Sequence, residues 1–423
     1  MIERLRRTGL SRGQILRAGL LLAAAAGLSA CASSTGPADR DALPHTVLLV
    51  SIDGFRADYL DPRLTPNLSS LAGLGVRAEA LIPSFPTKTF PNHYTMVTGL
   101  RPDHHGLVAN NIWDPVMESR YSLGNREAIQ NADWYGGVPI WVAAERAGMA
   151  TAPMFWPGSE APIQGVRPTH WLEYDDDMPH DTRIDWVLDR LSGEVVDPVR
   201  FATLYFSDVD VASHEFGPGT PELRASVARV DSAVGQLVDA LLRRGLDRVN
   251  LIVVSDHGMS SLSPDRVVFL DDYLDPDSVR VIDWSPVLAI WPGAMDETEI
   301  YAALWDAHPN LDVYRPAEIP LEFGFGTHAR VAPVIGIADL GWSITSRGYF
   351  AANLERFSAG NHGYDHRSED MRALFVAAGP AFRPGLVTPA FPNVDVYELV
   401  MAILRLTPEP GDGDLDRVRH LLK

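Results

Sequence analysis

The chemistry of this chain is carried by polar residues that close apolar runs: Asp53 after 45–52, Asp210 and His214 after 200–207, and Asp256-His257 after 250–255. His362 follows much later, in a glycine-flanked loop. Three carboxylates and three imidazoles are enough for two zinc ions with mixed oxygen and nitrogen ligands. Each residue also has a plain structural reading. Asp53-Gly54 and His257-Gly258 are common turn pairs. Asp210 and His214, spaced i, i+4, would share a helical face and could form a solvated pair. His362 could simply shape its loop. Position favours the metal reading, because open α/β sheets bind ligands outside the carboxyl ends of their strands, and three separate strands end in these residues.

A nucleophile is available in Pro86-Thr87-Lys88-Thr89-Phe90-Pro91-Asn92-His93-Tyr94. Thr89 stands just before Pro91, and 91–98 reads as a helix closed by Gly99, with the proline in the first turn where it has no N–H to lose. A hydroxyl at a helix start meets unpaired N–H groups and the positive end of the helix dipole. That suits attack on an anionic phosphorus centre. The commoner role of such a threonine is helix capping.

The elements that must position these residues alternate between strand and helix. Strands are expected at 45–52, 76–81, 150–155, 200–207, 250–255 and 373–378, and helices at 66–74, 91–98, 139–148, 184–191, 220–244 and 394–404. The continuous apolar strands predict a buried, doubly wound, mostly parallel α/β sheet. The stretch 265–348 differs: short strands at 267–270, 286–291 and 332–337, a helix at 297–308, and Pro/Gly-rich joints predict a smaller α+β insertion within a catalytic domain at 44–423.

The chain has 423 residues, 46% hydrophobic and 22% charged, with a net charge of -19. So acidic a protein has no general electrostatic footprint for a nucleic-acid backbone, and no stable nucleic-acid binding is expected. Phosphate handling would need local positive charge, for which metal ions are the obvious source. The first 30 residues hold five arginines and an apolar run at 18–30 that is too short to span a bilayer as a finished helix. The run ends Leu28-Ser29-Ala30-Cys31, and Cys31 is the only cysteine. This resembles a bacterial lipoprotein signal in 1–30, with Cys31 lipidated and 31–43 a flexible tether. The alternative is an ordinary signal peptide with an incidental cysteine. Either way the protein is exported and free of disulfides. The lipidated reading places it on the periplasmic side of the cell envelope, and Ala32 rather than Asp after Cys31 favours the outer membrane. Arg6-Arg7 does not choose between export routes.

Seven blocks now show a resemblance: Leu49-Val-Ser-Ile-Asp53-Gly-Phe-Arg56, the whole of Pro86 to Tyr94, Gly106-Leu-Val-Ala-Asn110-Asn-Ile-Trp-Asp-Pro115, Trp156-Pro-Gly-Ser-Glu160, Tyr205-(x4)-Asp210-(x3)-His214, Ser255-Asp-His-Gly-Met259 and Asn361-His-Gly-Tyr364. In residues and order they resemble the nucleotide pyrophosphatase/phosphodiesterase family of the alkaline phosphatase superfamily, across essentially all the chain beyond the tether. The resemblance implies an alkaline phosphatase-like fold with one zinc on Asp210, His214 and His362. It implies a second zinc on Asp53, Asp256 and His257, with Thr89 as its reactive ligand. Asn110 would donate to a non-bridging phosphoryl oxygen; Asn111 is next door, and matching Asn-x-x-x-Asp to Asn110 and Asp114 favours Asn110. Phe90 and Tyr205 match aromatic positions of a nucleobase slot, with Leu123 and Tyr174 as further candidates. Core packing is the alternative for both aromatics.

Zinc would lower the Thr89 pKa, and a second zinc would stabilise the leaving oxygen. A covalent phospho-threonine would form and water would release it. Asn110 and the N–H of Thr89 or Phe90 would stabilise the equatorial oxygens. Lys88 should point away from Thr89 in an extended segment and is left out of the site. The implied activity is hydrolysis of phosphodiester and phosphoanhydride bonds to nucleoside 5'-monophosphates. A phosphomonoesterase would need extra cationic groups that the sequence does not offer, and a sulfatase its Cys/Ser-x-Pro-x-Arg motif. A diesterase acting on lipid or choline headgroups, an alkaline phosphatase-like phosphomonoesterase and a catalytically dead, surface-tethered binding protein remain as alternatives.

Overall fold

In the computed structural model, residues 46–193 and 199–423 are described. The leader, the tether and Cys31 lie outside the described residues. Strand β1 (Thr46–Ile52) is buried in all but its first residue. Val47 and Leu49 enter one core layer, and Leu48, Val50 and Ile52 the other. A strand whose two faces are both covered must be apolar throughout, which is why this run does not alternate.

Six more strands complete the sheet: β2 (Val76–Ala78), β3 (Thr151–Pro153), β4 (Phe201–Phe206), β5 (Val249–Val254), β6 (Phe375–Ala378) and β7 (Leu386–Thr388), in the order β7-β2-β6-β5-β1-β4-β3. Only β6 runs antiparallel to its neighbours. The other pairings are parallel. Helices α1 (Pro66–Leu74), α4 (His180–Leu191) and α6 (Pro221–Arg243) cover one face. Helices α2 (Thr89–Thr98), α3 (Ile140–Arg146) and α7 (Asp395–Leu404) cover the other. A further helix, α5 (Asp208–Phe216), starts two residues past the end of β4. The alkaline phosphatase-like, doubly wound sheet read from the sequence is therefore the observed architecture.

Register decides the site. Ser51 of β1 stands level with Tyr205 of β4 and Val254 of β5, so the three strands end together. The residues immediately after them therefore emerge at one edge.

Helix α2 starts two residues earlier than the proline suggested. Lys88 is its extended N-cap residue and makes no side-chain cap bond. Thr89 is the first helical residue rather than a cap, and Pro91 sits within the first turn, where a missing N–H costs nothing.

The segment 265–348 builds its own antiparallel sheet from Arg280–Asp283, Val287–Trp291, Val334–Ala338 and Leu311–Tyr314, in that spatial order. The first and last of these strands escaped the sequence reading because both are short and carry aspartates. The helix Glu297–Leu304 packs on one face around Leu288, Ile290 and Ile300. The other face, with Val287, Ile335 and Ile337, joins the main core. Arg330 fastens this junction: its Nε lies 2.6 Å from Asp114 Oδ2, and its other nitrogens donate to the carbonyls of Gly106, Trp134 and Asp133. Among the described residues no helix is long and apolar enough to cross a membrane.

Asp114→Ala would leave a buried guanidinium without its carboxylate. A loss of about 3–5 kcal/mol is expected for such a group. It should appear as a lower urea midpoint in chemical denaturation.

Candidate active site

At the shared strand edge, Asp53 follows β1, Asp256 and His257 follow β5, and α5 carries Asp210 and His214 on one face. Gly54 makes their approach possible. Its φ is +66°, and a Cβ there would lie 3.0 Å from Asp210 Cα and 3.1 Å from Asp210 Oδ1. Only glycine accommodates both the turn and the neighbour.

The three histidines are oriented alike. His214 Nδ1 donates to Gly360 O at 3.0 Å, His257 Nδ1 to Gly258 O at 2.9 Å, and His362 Nδ1 to Thr87 O at 2.9 Å. With the proton held on Nδ1, each ring presents the Nε2 lone pair to the site, as metal-ligating histidines do. His214 Nε2 and His362 Nε2 lie 3.5 and 3.7 Å from Asp210 Oδ1. His257 Nε2 lies 3.0 Å from Asp256 Oδ2 and 3.5 Å from Asp53 Oδ1. Ligand atoms sharing one tetrahedral zinc with bonds of ~2.0–2.1 Å stand about 3.3 Å apart. The six side chains singled out in the sequence thus converge at one strand edge, where the ligand atoms of Asp210, His257 and His362, and those of Asp53, His93 and Asp256, lie within 4.8 Å of one another.

Asp53 Oδ1 and Asp210 Oδ1 are buried and have no hydrogen-bond partner, and Asp256 Oδ2 has the ring nitrogens of His257 and His93 beside it at 3.0 and 3.3 Å. Buried carboxylate oxygens without a hydrogen-bond partner are costly unless cations sit among them. The donor set therefore fits divalent metal ions. The protonation states agree. Burial, and then the like charges of Asp256 and Asp210, raise Asp53 well above the usual carboxylate range. Burial pushes Asp210 up to about 7. Burial works against the charged form of Asp256, but His257 and His93 hold its pKa well below the usual range. Burial opposes protonation of His257, yet Asp256, Asp53 and Asp210 outweigh it and raise its pKa to about 9. Burial lowers His214 to about 4 and, with His257 and His214 nearby, holds His362 well below its ordinary value.

Thr89 Oγ1 lies 3.3 Å from His257 Nε2, at the rim of this cluster. Asn110 and Asn111 part company. Asn110 Oδ1 accepts the Phe90 N–H at 3.0 Å, whereas Asn111 lines the seam against the insertion. The Phe90 N–H, expected as an anion donor, is thereby spent on Asn110, and the Asn110 amide NH₂ is the donor that remains.

The four substrate-slot candidates fall into two groups. Phe90 packs edge-on against Tyr121, its ring centroid 5.9 Å away. The exposed Leu123 follows the strand Ser119–Tyr121 on that side. Tyr205 and Tyr174 pack together at 6.1 Å. Tyr205 has a second task, because its hydroxyl donates to Asp53 Oδ2 at 2.6 Å.

His93 was missed as a site residue, although its i, i+4 spacing from Thr89 put both on one face of α2. It approaches Asp256 at 3.3 Å, with Nδ1 donating to Thr89 O and Nε2 bonded to Ser51 Oγ. Both ring nitrogens are engaged, so it supports Asp256 and leaves no lone pair for a metal. Glu160, buried beside Arg126 and accepting the Tyr174 N–H, ties the Trp156–Glu160 turn to Tyr174.

A family model described as type I phosphodiesterase / nucleotide pyrophosphatase matches residues 47–365. Human ectonucleotide pyrophosphatase/phosphodiesterase family member 5 is 37% identical over 377 residues, or 89% of this chain and 78% of that protein. The mouse bis(5'-adenosyl)-triphosphatase is 37% identical over 385 residues, or 90% of this chain and 82% of that one. The solved murine family member 5 matches at a TM-score of 0.85 and 38% identity, covering 89% of this chain and 100% of the other. An inactive threonine-to-alanine variant of that mouse protein, solved in complex with AMP, matches at the same TM-score and identity over 90% of this chain.

Metal uptake should be strongly pH-dependent. A cation must displace protons from His257, near pKa 9, and Asp210, near 7. Protons leave more readily as pH rises, so apparent affinity should fall as pH drops through 9 and more steeply below 7. Calorimetric titration of the metal-stripped protein, in buffers of different ionisation enthalpy, reads both affinity and protons released.

Proposed function

Because the chain belongs to the type I phosphodiesterase / nucleotide pyrophosphatase family, we propose that it is a two-zinc hydrolase of phosphodiester and phosphoanhydride bonds that releases nucleoside 5'-monophosphates. The observation that carries this reading is the pair of unpartnered buried carboxylate oxygens, on Asp53 and Asp210, in the cluster whose His257 is approached by Thr89 Oγ1. Asp210, His214 and His362 would hold one ion, and Asp53, Asp256 and His257 the other, next to Thr89. When bound, the ions supply the Lewis-acid charge that lowers the Thr89 pKa and offsets charge on the leaving oxygen.

Thr89 Oγ1 attacks phosphorus, the bond to the leaving oxygen breaks in line, and a nucleotidyl ester remains on Thr89. Water then attacks the same phosphorus, Thr89 departs with its hydroxyl restored, and the nucleoside monophosphate leaves. Asn110 donates its amide N–H to a non-bridging oxygen, held in orientation by the Phe90 N–H. Tyr205 fixes Asp53 through its hydroxyl, while its ring with Tyr174, and Phe90 on the other side, offer faces for a nucleobase. Stacking of this kind accepts any base. Lys88, the cation nearest Thr89 in sequence, is bound to Asp283. It therefore offers nothing to the additional charge of a monoester, which favours diesters.

The basic leader, its apolar run and the lone Cys31 support export and lipid anchoring on the periplasmic side of the cell envelope, with the outer membrane preferred. Cys31→Ala should move the protein from the membrane to the soluble fraction on cell fractionation. Unaltered membrane retention would overturn the anchor.

Thr89→Ala should fold and retain zinc but lose at least about a thousandfold in turnover of a nitrophenyl nucleotide diester, as nucleophile removal does elsewhere. Unchanged turnover would overturn the reading. Comparing kcat/KM with that for nitrophenyl phosphate tests the class of ester, and comparable values would make the protein a monoesterase.

A further inference from the structure

Lys88 immediately precedes Thr89 yet reaches into the insertion. Its ammonium lies 2.7 Å from Asp283 Oδ2 and donates to Ser285 O at 3.2 Å, with both charged side chains buried. Asp283 closes the strand Arg280–Asp283, and its other oxygen accepts the Trp284 N–H at 3.1 Å. The lysine stem passes beneath Gly363, whose φ is +110°. A Cβ there would stand 3.0 Å from Lys88 Cε and 2.8 Å from Pro286 Cδ. Thr87 completes the junction. Its carbonyl accepts from His362 Nδ1, and its hydroxyl accepts the Gly363 N–H and donates to Tyr364 O. The segment 87–89, the loop 362–364 and the insertion at 283–286 therefore meet in one packed seam. The space left in it, bordered by Lys88, Asn111, Asp283 and Arg330, is about 20 Å³, room for about one water.

We propose that Lys88 and Asp283 are positioning residues, through which the insertion sets the backbone at 87–89 and so the placement of Thr89 Oγ1 beside His257. The proposal rests on Thr89 being the nucleophile. A buried ion pair is seldom more stabilising than an apolar pair of like volume, because desolvation offsets the attraction. What it adds is direction: a charge pair with a third bond to a carbonyl admits one geometry, whereas two apolar side chains slide. Displacing a reacting group by about 1 Å can cost about a hundredfold in rate.

The test uses Lys88→Met, Asp283→Leu and the double variant, with Thr89→Ala as reference, assayed on a nitrophenyl nucleotide diester. Rates are normalised to bound metal, so unfolded molecules do not count. Each single variant strands one buried charge and should lower Tm, and the double variant should regain it. In the double variant kcat should nevertheless remain about 10- to 100-fold low, with KM within about twofold of the parent. A wild-type kcat there overturns the proposal and leaves the pair merely structural. An elevated KM with intact kcat also overturns it and makes Lys88 a substrate ligand. The reference separates the two layers. Full turnover by Thr89→Ala sinks the nucleophile itself, whereas an inactive Thr89→Ala beside a fully active double variant sinks only the clamp.

Discussion

Three carboxylates held together at the end of one sheet repel one another in any structure that gives them no cation. Asp53, Asp210 and Asp256 gather at such a point, with the ring nitrogen of His257 3.0 Å from Asp256 and 3.5 Å from Asp53. The remaining site geometry serves that constraint. The common register of β1, β4 and β5 brings the strand ends level. Gly54 gives up its side chain so that Asp210 can approach. Each of the three histidines spends Nδ1 on a carbonyl and turns Nε2 inward. The fold thus keeps unfavourable charge in place, and a cation is what makes that arrangement favourable.

A cluster of this kind is only as exact as what surrounds it. His93 couples Ser51, Thr89 and Asp256 within the first layer of support. Tyr205 locks the second oxygen of Asp53. Farther out, the insertion is joined to the main domain by two buried ion pairs, Lys88 with Asp283 and Arg330 with Asp114. One adjoins Thr89, and the other anchors the turn that follows Asn110. The insertion is thus part of the wall behind the reactive groups, and its apolar inner face continues the core that also buries α2.

Two pairs of rings flank the cluster. Phe90 and Tyr121 pack with the layer that contains α2, whereas Tyr205 packs with the layer on the opposite face of the sheet. Tyr205 also meets His93 of α2 edge-on, the ring centroids 5.4 Å apart. Asn110 belongs to the Phe90 side, tied to it by the Phe90 N–H.

Much of this was legible in the chain alone. The apolar runs that become β1, β4 and β5 have no other reading than buried strands. A metal-type residue at each strand end, with the i, i+4 pair Asp210 and His214, marks the site without any coordinates. The helix 66–74 and the insertion's separate character were equally plain. Other features had no local signature. The sequence favoured Asn110 over Asn111 but could not say that its side chain holds the Phe90 N–H, that Asn111 lines the seam against the insertion, that Lys88 is consumed by Asp283, or that Tyr205 grips Asp53. Strand and helix follow from the periodicity of neighbouring residues, so a sequence determines them. These four facts depend on which side chains, tens to hundreds of residues apart, arrive at the same point with complementary bonding groups, and only tertiary packing decides that.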